Sequence, residues 1–349
     1  MTKESMVDTL RPLLAAVRIH SSSTFSIGED VRITVPPTKP APEAALLEAL
    51  QTALYHSCYV RKFNSSGRPP LTPAVRDQAF ARSLSGANRS REMWDRGWTI
   101  DHFCGDGSVE VHKGGRYHIA YPGAYVHGDG MSAAHRLGGT VNLLMPRESF
   151  DLQPGFYVAF GETVPDQYDD CSLLRIYFNT RAQGAPLLLE IFTRELNRFA
   201  APFRMKCPVA PSHYDRSDAV VLYVPRRYFH LAAHFASQVK DAEWLRPDVP
   251  LFTKELAGGI AAADGPGSGE SFGMHRCRLL AQGMIDAWQD DKQTVEARLA
   301  AICTRFIENG LLLDRPYLNP HSRDIFELPS AVDLAIQPST PMLVCTHGA

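Results

Sequence analysis

No apolar run in this chain approaches ~18 residues, so no helix is expected to span a bilayer. One-sided charge is lacking too: 36 bases stand against 38 acids, a net of −2. No global field therefore draws in nucleic acid or an anionic membrane, and neither is expected as a partner. Any anion site has to be a local cluster. Cysteine is sparse, with seven residues scattered at 58, 104, 171, 207, 277, 303 and 345 and no CxxC. That argues against a disulfide framework, and reduced, cytoplasmic thiols are the expectation. The opening MTKESMVDTLRP carries acids and lacks the apolar core of a signal peptide. There is no internal repeat and no low-complexity block.

An apolar content of 44% over 349 residues is enough for a substantial core, in one large domain or two modest ones. Residues 5–20 carry Leu10, Leu13, Leu14 and Val17 at helical spacing, with Pro12 as a weak point. VRITV (31–35) alternates as a strand. A helix from about Glu43 to Tyr55 has the seam Leu47, Leu50 and Leu54, and YHSCYVRKFNSSGRPP follows it, basic and aromatic. A polar helix is expected over 71–85, then a tryptophan-anchored loop over 84–98.

From Trp98 to Asn179 the period changes to two. WTIDHF, SVEVHK, RYHIAY, TVNLLM, GFYVAF and SLLRIYFN read as strands of one meandering antiparallel sheet. In the last of them Arg175 and Tyr177 share a face, opposite Leu174, Ile176 and Phe178. A helix over 185–200, a short strand ending in Arg204, Met205 and Lys206, the apolar strand DAVVLYV (218–224) and a helix from Pro225 come next. That helix carries His230 and His234 at i and i+4, but Leu231 stands where a zinc protease needs Glu, so no metal site is assigned. Thr294–Asn309 is an amphipathic helix closed by Gly310, and the last twenty residues read as a loosely held tail.

The stretch that organises the rest is Pro250 to Trp288. It reads as a short strand at Leu251–Phe252, with Lys254 just past it, then a loop rich in glycine from Gly258 to Gly269, then a helix from about Ser271. Free backbone N–H groups at that helix start, with Arg276 and Arg278 close by, would suit phosphate. It is neither a Walker loop nor a dinucleotide fingerprint. The expected division is a helical N-terminal part (1–90), an α+β body (91–330) and a tail (331–349).

Several of these segments occur together and in this order: YHSCYVRKF, GFYVAFGE, LLRIYFN, ELNRFAAPFRMKC, YDRSDAVVLYVPRRYF, PLFTKELAGG and GESFGMHRCRLLA. Over about residues 55–290 the chain thus resembles the HopA-type effector domain family. One departure is Ala263-Asp264, where the family usually shows Glu-Asp. The resemblance implies an α+β fold with a central, mostly antiparallel sheet flanked by helices. It is similar to stand-alone actinobacterial members that partner a kinase-like protein in ribosomal-peptide clusters, including lanthipeptide and thioamitide pathways. The activity so implied, needing no cofactor, is elimination of phosphate from phosphorylated Ser or Thr of a precursor peptide, leaving dehydroalanine or dehydrobutyrine. The pathogen effectors imply the alternative, a non-catalytic protein-binding module or a scaffold for the kinase.

A β-elimination needs a base for the α-hydrogen, a donor for the developing enolate and cations on the departing phosphate. The sequence offers Lys254 or Lys206 as base and His275 as acid. Tyr177 is the candidate carbonyl donor. Arg175, Arg276, Arg278 and Ser271 are the candidate phosphate ligands.

Overall fold

The computed structural model describes residues 5–28, 32–35, 42–65, 75–128, 136–166, 168–169, 172–267 and 269–329. The expected tail lies outside them. The fold is α+β, and every sheet in it is antiparallel.

The N-terminal part is led by helices α1 (Met6–Ala16), α2 (Pro42–Leu54) and α3 (Gln78–Ala87). Ser5 Oγ caps α1 by accepting from the Asp8 amide. The helix expected over 5–20 stops at Ala16. From Val17 the side chains alternate in and out, and strands β1 (Val17–Ser21), β2 (Thr24–Ile27) and β3 (Arg32–Thr34) form a small sheet. After Leu54 the α2 helix widens into a π turn over Tyr55–Tyr59.

The six strands expected in one meander fall into two sheets. β4 (Met93–Phe103), β5 (Val109–Lys113), β6 (Arg116–Ala120), β7 (Tyr125–His127) and β8 (Thr140–Met145) pair in the order β6-β5-β4-β8-β7. Trp98, Ile100, Val109, Val111, Val141 and Leu143 give this sheet its own small core. The expected loop over 84–98 is therefore half strand, with Trp94 and Trp98 inside β4. The irregular register around Gly97 breaks the alternation that would have marked it.

The larger sheet holds β9 (Glu148–Ser149), β10 (Phe156–Phe160), β11 (Leu173–Phe178), β12 (Arg204–Pro208), β13 (Val220–Pro225), β14 (Lys254–Ala257) and β15 (Ile260–Asp264). Their order is β14-β15-β11-β13-β12-β10-β9. One face is packed by α4 (Gly184–Arg198) and α5 (Phe229–Gln238), through Leu188, Phe192, Phe229 and Ala233 against Ile176, Phe178, Met205 and Leu222. The other is covered in part by α6 (Phe272–Gln289), which packs with α7 (Val295–Glu308), α1 and α2 in one core.

The central stretch differs from its expectation. Leu251–Phe252 form a turn. The strand comes later, and the glycines divide between the β14–β15 hairpin (Gly258, Gly259) and the short link into α6. IAAAD (260–264) reads as loop because alanine has little β preference, yet every one of its side chains is buried in the sheet.

Candidate functional site

Antiparallel register places two rows of side chains on the face of the larger sheet that α6 covers in part. One runs Ala263–Arg175–Tyr223–Arg204–Phe160 and the other Ala261–Tyr177–Val221–Lys206–Val158. Adjacent strands lie about 4.8 Å apart, so these neighbours touch or nearly touch. The Arg175 and Arg204 guanidinium carbons stand 5.4 and 5.1 Å from the Tyr223 ring centroid. Cations gather here because alternation sends Arg175, Arg204 and Lys206 to one face while Leu174, Ile176, Met205 and Cys207 enter the core on the other.

Lys206 Nζ lies 3.9 Å from the centroid of Phe156, and the Arg216 guanidinium carbon lies 5.6 Å from the same ring. Among the described residues no carboxylate pairs with Lys206. Burial pushes its pKa down to about 8; Arg216, Arg175 and Arg204 push the same way, and Asp218 opposes them. Beside it, Arg175 Nη1 is buried without a hydrogen-bond partner among the described residues. A Cβ at Gly265 would stand 3.1 Å from that nitrogen, so the link into α6 runs against the Arg175 guanidinium.

One acid sits among these cations, and it is committed. Arg216 Nε donates to Asp218 Oδ1 at 2.5 Å and Nη2 to Oδ2 at 2.9 Å; Tyr55 Oη donates to the same Oδ2 at 3.2 Å. Burial raises the Asp218 pKa, but Arg216 outweighs it and holds the carboxyl below its usual range. The π turn over Tyr55–Tyr59 aims these rings. Tyr55 and Tyr59 stack at 5.2 Å, and the Ser217 amide donates to the Val60 carbonyl at 2.6 Å, latching the turn to the loop before β13. On the same turn His56 Nδ1 is buried without a hydrogen-bond partner among the described residues, and burial lowers the ring's pKa, with Arg216 and Arg61 adding to the effect.

Of the expected site residues, the structure brings together Lys206, Arg175 and Tyr177. Tyr177 is a floor residue: it is buried, against Phe272 and within hydrogen-bonding reach of Tyr59, and burial raises its phenol pKa so that it stays protonated. The others sit elsewhere or are occupied. Lys254 is on the edge strand β14, paired in register with Ala262, whose side chain faces the opposite core, and its Nζ is bound to Asp324 at 2.9 Å. Arg276 is fully buried. Its Nε and Nη2 donate to the carbonyls of Pro316 and Leu318, and Nη1 meets His275 Nδ1 at 2.7 Å. It is a staple for the segment after α7.

His275 accepts that contact, and burial together with Arg276 lowers its pKa to about 4, so it holds no spare proton at neutral pH. Arg278 is paired with Glu270 at 3.2 Å, and Ser271 Oγ caps α6 by accepting from the Met274 amide. Asp264 pairs with Arg226 at 2.6 Å and accepts from the Asn319 amide at 2.8 Å, a second tie to the same segment. At the helix start singled out by the glycines, the side chains of Ser271, Arg276 and Arg278 are thus engaged within the fold, and the cationic cluster lies on the sheet beside it.

Residues 147–318 match the HopA1 effector protein family. The matched segment covers just under half of the chain. It takes in the larger sheet from β9 to β15 with α4 to α7, and excludes the five-stranded sheet and the π turn that bears Tyr55. The chain is similar to the solved effector protein of Pseudomonas syringae pv. tomato strain DC3000, at 14% identity and a TM-score of 0.42, over 79% of this chain and 95% of that one. A second similarity is to the effector protein of Pseudomonas syringae pv. syringae strain 61, at 16% identity and a TM-score of 0.35, over 48% of this chain and 63% of that one. No curated protein matches the chain. Among the described residues no helix is long and apolar enough to cross a membrane.

Within the matched segment, Gly273 leaves the room that Tyr59 fills: a Cβ there would overlap the Tyr59 ring. Gly273→Ala is expected to displace that ring and cost about 1–3 kcal/mol. Differential scanning calorimetry should show a lowered Tm, whereas an unchanged Tm would mean that the Tyr59 wall yields freely.

Proposed function

We propose that the chain is a lyase that eliminates phosphate from phosphorylated Ser or Thr of a ribosomally made precursor peptide. Lys206 is the base, and Arg175 and Arg204 hold the phosphate. The observation that carries this reading is a lysine drawn toward its neutral form, without a carboxylate partner, in the row beside two arginines that share Tyr223. An amine with a pKa of about 8 is about one-tenth neutral at pH 7, whereas an unperturbed lysine is almost wholly charged.

The step balances as follows. Lys206 Nζ takes the α-hydrogen as a proton, its electron pair forms the Cα=Cβ bond, and the Cβ–O bond breaks toward phosphate. The ammonium so formed returns the proton to a phosphate oxygen, so product and hydrogen phosphate leave with the amine restored. Guanidinium groups suit the phosphate because they stay charged and bind it through paired N–H groups. A kinase-like partner would supply the phosphorylated residue in the cytoplasm.

A second reading has its own observation. Tyr117, Ile119 and Tyr121 are all exposed along the edge strand β6 and just past it, as a protein-binding module requires. Incubating the purified protein with a synthetic phosphoserine peptide separates the two. The lyase reading expects free phosphate and a dehydroalanine peptide that adds a thiol, from the protein alone or once the kinase is co-expressed. Intact phosphopeptide under both conditions leaves the binding module.

A further inference from the structure

A pocket of about 300 Å³ opens where the cationic rows end. Arg204 and Tyr223 form part of its wall, so it begins at the groups that would hold phosphate. Beyond them the lining turns apolar: Phe160 and Phe203 from the larger sheet's side, Val164 and Leu173 near them, and Met145 at the end of β8. Arg116 and His118 of β6 also line it, from the five-stranded sheet and outside residues 147–318. The two sheets together therefore line one slot that joins Arg204 to an apolar wall.

We infer that this slot is a specificity pocket for a bulky aliphatic or aromatic side chain within two positions of the phosphorylated residue. The inference rests on the proposed lyase reading for the identity of the phosphorylated group. In an extended peptide, side chains two apart point the same way and lie about 7 Å from one another. A phosphate on Arg204 and Arg175 thus carries the next side chain on that face into the Phe160, Phe203 and Leu173 end. The volume is at the low end for ligand pockets, enough for one large side chain and the backbone beside it. An acidic side chain carried to the Phe160, Phe203 and Leu173 wall would lose water against apolar groups.

The test uses the full chain and two fluorescently labelled phosphoserine peptides, alike except that one has Leu and the other Glu at both positions two residues from the phosphoserine. Turnover and fluorescence anisotropy are measured for each. The Leu peptide should bind and react with an advantage on the order of 10–100-fold in Kd and kcat/KM. Val164→Trp, which fills the slot, should raise KM for the Leu peptide, leave kcat alone and erase the advantage. Equal Kd for both peptides on the unaltered protein overturns the inference, whether or not either reacts. A Leu preference in binding with no elimination of either peptide leaves the slot standing and removes the lyase.

Discussion

Lys206→Met is expected to lower the elimination rate by ~10²–10⁴-fold, the contribution of a well-placed base. Methionine keeps the apolar stem against Phe156 and removes the titrating amine, so circular dichroism should be unchanged. Lys206→Arg should not rescue activity, because a guanidinium cannot give up its proton. Phosphopeptide binding should survive both changes, since Arg175 and Arg204 remain. The pH profile carries the same signature. Only the neutral amine takes a proton, so the rate should rise with pH through about 8 and then level off. A bound phosphate favours the charged amine and would move that midpoint upward. A rate that is flat between pH 6 and 9, or full activity in the methionine variant, would take the base away from Lys206.

Asp218→Ala is expected to destabilise the fold by about 3–5 kcal/mol, because it leaves Arg216 buried with no counter-charge. Both side chains are less than a tenth exposed, so solvent offers little screening. Removing the pair with Arg216→Met and Asp218→Leu together should recover much of the loss, as volume-matched apolar replacements of buried pairs often do. The pH sign follows from the direction of the shift. The folded Asp218 pKa lies below its unfolded value, so this stabilisation is in place above about pH 4 and disappears as the pH falls through the folded value. Urea unfolding of the single and double variants checks all of this. A single variant within about 1 kcal/mol of the parent would mean that Arg216 reaches water.

The elements most legible in the sequence were those with one period and a clean end. Val295–Glu308 has its Thr294 cap and its Leu299, Ile302 and Phe306 seam, and Leu173–Phe178 sends Leu174, Ile176 and Phe178 into one core. The strand face shared by Arg175 and Tyr177 was readable for the same reason. Where the reading strayed, tertiary context had overruled local preference. Alanines became a central strand in β15, and the bulge at Gly97 hid β4.

In the site, the glycines point to Ser271, His275, Arg276 and Arg278, whose groups are taken by the Met274 amide, by Arg276, by the Pro316 and Leu318 carbonyls and by Glu270 respectively. The two carbonyls lie up to 42 residues away, and no spacing rule connects them to Arg276. Tyr55, His56, Arg216 and Asp218 went unassigned, although they sit inside YHSCYVRKF and YDRSDAVVLYV. The basic and aromatic character of the first segment and the Arg–Asp pair before an apolar strand in the second were the available signals. Their meeting depends on a π turn that periodicity does not reveal.

The most direct test is a phosphoserine peptide carrying deuterium at the α-carbon, incubated with the protein and followed by mass spectrometry and phosphate release. Elimination through Lys206 predicts free phosphate, a dehydroalanine peptide that has lost the deuterium, and a rate slowed relative to the protium peptide if proton removal limits turnover. Serine that keeps its deuterium would show hydrolysis instead, and a phosphopeptide bound but unchanged would show a binding module; either result contradicts the account.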